Sequence, residues 1–193
     1  NTWTLRNNYT AGVKSTAAPM DFIGETDEFS AYPFIVAPAY ALVSESLVTK
    51  WTDYVKNGGH LILSCRSGQK NKAGQFFEAS LGGPIQNLIG ASIDYNDMLV
   101  APEKGWIKMG TQKFEWDIWS EILNPFPGTE TLAVYDNQFY KGKSAVITRK
   151  LGKGSVTYIG VVSNDGELEK QIIRTIYQKA NVAIENLPKG VFV

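Results

Sequence analysis

A mainly parallel α/β sheet with an antiparallel extension is the fold class this sequence predicts, on three observations. The first is residues 29–68, FSAYPFIVAPAYALVSESLVTKWTDYVKNGGHLILSCRSG, where an apolar strand, an amphipathic helix, a double glycine and a second apolar strand follow in order. That is a complete βαβ unit, whose helical crossover brings the second strand back parallel to the first. The second is Gly166–Ala180, a further amphipathic helix with Leu168, Ile172, Ile173, Ile176 and Tyr177 on one face. The third is Ser144–Arg149 and Ser155–Gly160, two alternating stretches joined through Leu-Gly-Lys-Gly, which read as an antiparallel hairpin.

Residues 1–19 read as polar and irregular, Met20–Gly24 as a short strand and Glu25–Ala31 as an acidic connection. Pro33–Ala37 is a buried strand by its unbroken apolar run. Ser44 suits the N-cap of the following helix, whose apolar stripe is Leu47, Val48, Trp51 and Val55. Asn57-Gly58-Gly59 supplies a left-handed stop, and Leu61–Ser64 is the next strand. Residues 66–83 form a loop. Gly83-Pro84 opens a short helix through Leu88 and Ile89. From Ala91 to Tyr135 short strands are expected, with a turn or short helix at Asp117–Leu123, and Gly190–Val193 is a last strand.

The 193 residues make one domain with room for an embellishment, and 44% hydrophobic content is ample for a core. A formal net charge of zero gives no electrostatic footprint for nucleic acid or an anionic membrane. No apolar run approaches the roughly 20 residues of a spanning helix, and no signal sequence is visible. The start at Asn1 points to a segment cut from a longer protein, whose compartment, cytoplasmic or secreted, is left open. A single Cys excludes an intrachain disulfide and a Cys-based metal site. No cofactor or metal set is expected.

In an open parallel sheet, ligands and partners meet the loops at the carboxyl ends of the strands. Here those loops are Pro38–Tyr40 and Arg66–Gly68. Cys65 stands where a nucleophile would stand, but a Cys nucleophile needs a base within hydrogen-bond reach. The single His, His60, lies five residues back on the same strand, roughly 16 Å away at ~3.3 Å per residue. Cys65 reads as a structural thiol and His60 as a strand-start residue. Gly142-Lys143-Ser144 imitates the end of a phosphate-binding loop, but Asn137 replaces the first glycine and a strand follows, so it reads as a hairpin turn. Glu115, Asp117 and Glu121 cluster without the assured separation of a glycosidase pair, and a solvated or capping role is expected. Trp106, Trp116 and Trp119 read as core or interface residues, with sugar stacking the alternative. Asn8-Tyr9-Thr10 fits a glycosylation sequon.

An ordered series of segments then resembles the middle, trimerisation domain of glycoside hydrolase family 42 β-galactosidases. The series is SAYPFIVAPAYALVSE (30–45), YVKNGGHLILSCRSG (54–68), GGPIQNLIGASID (82–94), WSEILNP (119–125), AVYDNQFYKGKSAV (133–146) and RKLGKGSVTYIGV (149–161). Residues 1–19 depart from the family pattern, which points to a missing first strand. LPKGVFV resembles the start of the family's next, C-terminal β-domain. The resemblance implies domains at 1–186 and 187–193. It also implies a flavodoxin-like three-layer sandwich related to class I glutamine amidotransferases, without their Cys-His pair.

The same resemblance implies a non-catalytic role. The catalytic glutamates sit on a preceding TIM barrel outside this chain, which binds the terminal β-D-galactoside. The middle domain joins subunits into a homotrimer and lies near the neighbour's active-site mouth. No catalytic residue is then expected in this chain. Arg66, Ser67, Trp106, Trp116 and Trp119 are the substrate-access or interface candidates. The rival readings are an independent amidotransferase-like or hydrolase α/β enzyme with a degenerate site, and a carbohydrate-binding module using the Trp cluster.

Overall fold

The computed structural model describes residues 2–78 and 81–184, with residues 2–4 through their backbone alone. Its regular elements are α1 (Thr2–Lys14), β1 (Phe34–Ala37), α2 (Glu45–Lys56), β2 (His60–Ser64), α3 (Gln86–Ile89), β3 (Ala91–Asp97), β4 (Gly105–Met109), β5 (Gln112–Pro125), β6 (Thr129–Tyr135), β7 (Ser144–Leu151), β8 (Gly154–Ile159), β9 (Val161–Ser163) and α4 (Glu167–Lys179). The strand candidate Gly190–Val193 and the LPKGVFV segment lie outside the described residues.

The βαβ unit forms as expected. β1 pairs parallel with β2 from Phe34 opposite His60 to Ala37 opposite Leu63. Ser44 caps α2, its Oγ accepting the Leu47 N–H at 3.2 Å, and the helix buries Leu47, Trp51, Tyr54 and Val55. Val48, at the margin of the stripe, is half-buried. β2 pairs parallel with β8, and β8 forms the expected antiparallel hairpin with β7.

Parallel pairing stops there. The sheet runs β1-β2-β8-β7-β6-β4-β5-β3, and every pairing beyond β8 is antiparallel. β5 pairs with β4, β4 with β6 and β6 with β7, and β5 returns to touch β7 at Leu123 opposite Ser144, which closes these four strands into a barrel. The fold is thus a mostly antiparallel sheet with a closed barrel. The flavodoxin-like, amidotransferase-like three-layer sandwich expected from the sequence is wrong: the parallel unit is an edge of the sheet and not its centre.

The error traces to one strand. Asp117–Leu123 is not a turn or helix but the middle of β5, a strand of 14 residues. Its register against β9 shifts between Trp116 and Ser120. Such an irregularity breaks the period of two that identifies a strand, and the spacing of Trp116, Ser120 and Leu123 then imitates a helix. The other half of the barrel seam is Gly160, between β8 and β9. A β-carbon there would lie 2.9 Å from the Glu121 carbonyl oxygen and 3.0 Å from that of Ala145, so only glycine lets the strand cross from β7 to β5. The barrel interior holds Ile107, Trp116, Ala133, Tyr135 and Val146, all buried.

The chain divides into two units, Glu28–Asn164 with the sheet, and Asn1–Asp27 together with Asp165–Val193. In the second, α1 replaces the irregular segment expected for residues 1–19. Leu5, Tyr9 and Val13 are buried one turn apart, a sparse stripe easily missed among polar neighbours. Gly166 lies against Asn8, Gly12 against Lys170 and Ile173, and Arg174 donates to the Ser15 carbonyl at 3.4 Å. Partners therefore advance together, so α1 and α4 run parallel, and Gly12 lets them approach closely. Met20–Gly24, expected as a strand, has no regular structure.

Candidate functional site

The loops at the carboxyl ends of β1 and β2 are tied to each other. The Ala39 N–H donates to Ser64 Oγ at 2.7 Å and the Tyr40 N–H to Ser67 Oγ at 3.1 Å. The Gly68 N–H donates to the Tyr40 carbonyl at 3.0 Å, and Lys70 and Val43 continue the ladder. Ser67 is wholly buried and Arg66 is exposed, so of these two expected site residues one braces the loop and the other is presented by it. Arg66 takes a left-handed backbone, φ 68°, a conformation that costs a non-glycine residue roughly 1–3 kcal/mol.

Glu121 offsets that cost. Its carboxylate is buried and its Oε1 accepts from the Arg66 N–H at 2.8 Å, from Trp119 Nε1 at 3.2 Å and from Gln69 Nε2 at 3.3 Å. Its Oε2 accepts from the Tyr158 hydroxyl at 2.6 Å, and its own carbonyl from Tyr135 at 2.9 Å. Burial raises the Glu121 pKa above the ordinary carboxylate value, against the opposing pull of the Tyr158, Arg66 and Trp119 hydrogen bonds. The solvated or capping role expected for Glu121 is therefore wrong. Glu121 joins β5, β8 and the Arg66 loop, and it seats Trp119 so that the Arg66 guanidinium stands 4.8 Å from the indole ring centre. The signal available in the sequence is its place beside the apolar pair Ile122-Leu123, in a stretch buried on both faces from Ser120 to Leu123.

The three tryptophans separate. Trp116 is fully buried against Gly105, with its indole N–H unpartnered. Trp106 is 38% exposed on β4, its main chain fastened by Asn137 Oδ1 at 2.8 Å and by the Asp136 N–H at 2.7 Å. Trp119 is half-buried under Arg66. Phe139 is 84% exposed and stacks on Tyr95 at 5.8 Å between ring centres; it lies in the β6–β7 loop, where no periodic signal marks it.

Glu115 pairs with Lys104 at 2.9 Å and accepts from Asn164 Nδ2, which also reaches Asp117. Cys65 is buried and His60 sits at the opposite end of β2, its Nδ1 2.8 Å from Ser155 Oγ and its pKa lowered by burial. Gly142 turns the hairpin ahead of β7 at φ 87°. Among the described residues no three His, Cys, Asp or Glu side chains converge on a metal position, and no helix is long and apolar enough to cross a membrane. A cleft of about 630 Å³ lies at the other end of β1, between Phe29, Pro33, Lys50 and Tyr54.

Comparison with known proteins agrees with this architecture. Residues 2–183 match the family described as the β-galactosidase trimerisation domain. β-Galactosidase LacA of Lactobacillus acidophilus is 32% identical over 142 residues, covering 74% of this chain and 21% of the relative. The crystal structure of a β-galactosidase from the Antarctic haloarchaeon Halorubrum lacusprofundi superposes with a TM-score of 0.91 at 29% identity, over 100% of this chain and 29% of that one. A β-galactosidase from Bacillus circulans sp. alkalophilus shares the fold with a TM-score of 0.90 at 20% identity, over 100% of this chain and 29% of that one. The chain thus spans between a fifth and a third of the length of such relatives. It belongs to the β-galactosidase trimerisation domain family.

Proposed function

We propose that this chain is the non-catalytic association segment of a β-galactosidase that hydrolyses terminal β-D-galactosides, and that it holds the subunits as a homotrimer. The supporting observation is the family match across residues 2–183, set beside a surface that presents the stacked Arg66 guanidinium and Trp119 indole. Catalysis and galactoside binding belong to another part of the polypeptide, and 187–193 begins the domain that follows. Arg66, Trp106 and Trp119 are the surface members of the association and substrate-access set. Ser67 and Trp116, both buried, hold them from behind. The exposure of these groups is what an interface needs, since aromatic and Arg side chains are enriched where interfaces desolvate. A carbohydrate-binding module fits less well, because Arg66 occupies one face of Trp119 and Trp116 offers none.

Light scattering on the intact protein tests the reading. A three-subunit mass that falls on combining Arg66→Ala with Trp106→Ala supports it, and a single-subunit mass for the unaltered protein overturns it. Purified residues 1–193 should leave a chromogenic galactoside intact; hydrolysis lost on changing one of the segment's own Glu residues contradicts the non-catalytic assignment.

A further inference from the structure

The Arg66–Trp119 stack is flanked by two surfaces of opposite character. On one side lies the 66–76 loop, with Arg66, Lys70 and Lys72 and no carboxylate. Its apolar tip is Phe76, 63% exposed, with Lys70 Nζ 4.6 Å from the ring centre. On the other side lies the end of β3 and the loop after it, where residues 94–103 carry Asp94, Asp97 and Glu103 and no basic residue. Met98 and Val100, between those carboxylates, are 60% and 78% exposed. The acidic segment runs along β5 beside the stack: Asp97 pairs with Ser120, the residue after Trp119, and the Leu99 N–H donates to the Asp117 carbonyl.

β3 is the end strand of the sheet, and charges on an edge strand ordinarily deter edge-to-edge pairing. That role accounts for Asp94 and Asp97 but not for Met98, Val100 and Phe139 exposed beside them. Charge at the rim with apolar groups between is the pattern of a contact surface. A threefold assembly needs a heterologous contact, in which two different patches of each subunit meet. A basic apolar flank and a separate acidic apolar flank supply two such patches.

Resting on the association reading above, we infer that the two flanks are the complementary halves of the subunit contact: the basic 66–76 loop of one copy meets the acidic 94–103 edge of a second copy of this chain. Lys70 and Lys72 then face Asp94 and Glu103 of the next copy, Phe76 packs among Met98 and Val100, and the Arg66–Trp119 stack lies nearest the symmetry axis. Opposed charge fixes which patch meets which and suppresses like-with-like pairing.

The test is a charge-reversal cycle on the intact protein, read by sedimentation velocity across a concentration series, with circular dichroism to verify folding. Lys70→Glu with Lys72→Glu, and separately Asp94→Lys with Glu103→Lys, should each weaken assembly by about tenfold or more, and the four changes together should restore it to within a few-fold. Phe139→Ala, at a side chain outside the core, should weaken assembly without changing charge. A single-subunit mass for the unaltered protein overturns both this assignment and the association reading. Trimers that tolerate either reversal, or that are not restored by the combination, overturn this assignment alone.

Discussion

The parallel edge and the antiparallel barrel of residues 28–164 secure their strands by different means. In the parallel edge, β1 and β2 are short apolar runs, and their loops are locked by serine hydroxyls accepting backbone N–H groups. The loop that follows β2 sends Arg66 outward. In the barrel, strands have a filled interior and an outer face that leaves Trp106 and Ile118 in contact with solvent, and the loops beside it expose Met98 and Phe139. Glu121 connects the two regions: it sits on a barrel strand but holds the Arg66 loop of the parallel edge. The strands of the parallel edge thus act as scaffold for the loop that follows β2, and one buried carboxylate on the barrel sets the position of that loop's Arg66.

Removing that connection should have the largest effect. Glu121→Ala removes the acceptor of the Tyr158 hydroxyl, the Trp119 N–H and the Arg66 N–H, and at about 1–3 kcal/mol for each buried group left short of a bond it should destabilise the fold more than any other single change considered, read by denaturant titration. Glu121→Gln keeps one acceptor oxygen for the Arg66 and Trp119 N–H groups, places an amide N–H toward the Tyr158 oxygen, removes the buried charge and should cost less; equal losses in the two variants would break the account of Glu121 as the tie. Gly160→Ala comes next. Its β-carbon meets two carbonyl oxygens at the seam, and overpacking of this kind costs about 1–3 kcal/mol.

The pH dependence sharpens the same point. Because burial raises the Glu121 pKa, the folded state holds its proton to higher pH than the unfolded chain does. Its contribution to stability is fully present below the unfolded carboxylate pKa and is lost as pH rises through the folded value. Wild-type stability should therefore carry a falling component above the usual carboxylate range. Glu121→Gln should remove that component, and an unchanged pH profile in this variant would contradict the assignment. The smallest expected effect is at Cys65 in the parallel edge, where burial should make thiol labelling in the folded protein slow and tied to unfolding. Rapid labelling at neutral pH would show the scaffold to be open.

The parallel edge was legible in the sequence because its signals are local. The FIVA and HLILS runs, the Ser44 cap and the Gly58 stop each act within a few residues. The barrel was not, because its closure depends on β5 pairing with β3, β4, β7 and β9 at once, and a strand irregular enough to do so loses its own period. Among the candidates, the place of Arg66 is legible because the apolar run of β2 ends just before it. Glu121 reads as solvated or capping because three of its partners, Tyr158, Gln69 and Arg66, lie 37, 52 and 55 residues away in sequence. Trp106, Trp116 and Trp119 were grouped by nearness in the chain. Pairing Gly105 with Trp116 and Trp106 with Glu115 sends the first two to opposite faces of the sheet.

The central claim is that the barrel face beside the Arg66–Trp119 stack is the association surface and the parallel edge is its scaffold. Hydrogen exchange on the intact protein, compared at concentrations above and below assembly, tests it most directly. The account predicts that assembly slows exchange in residues 66–76, 94–104 and 137–140 while β1 and β2 are unchanged. Protection confined to the cleft lined by Phe29, Lys50 and Tyr54, or no change in the 94–104 segment, would contradict it.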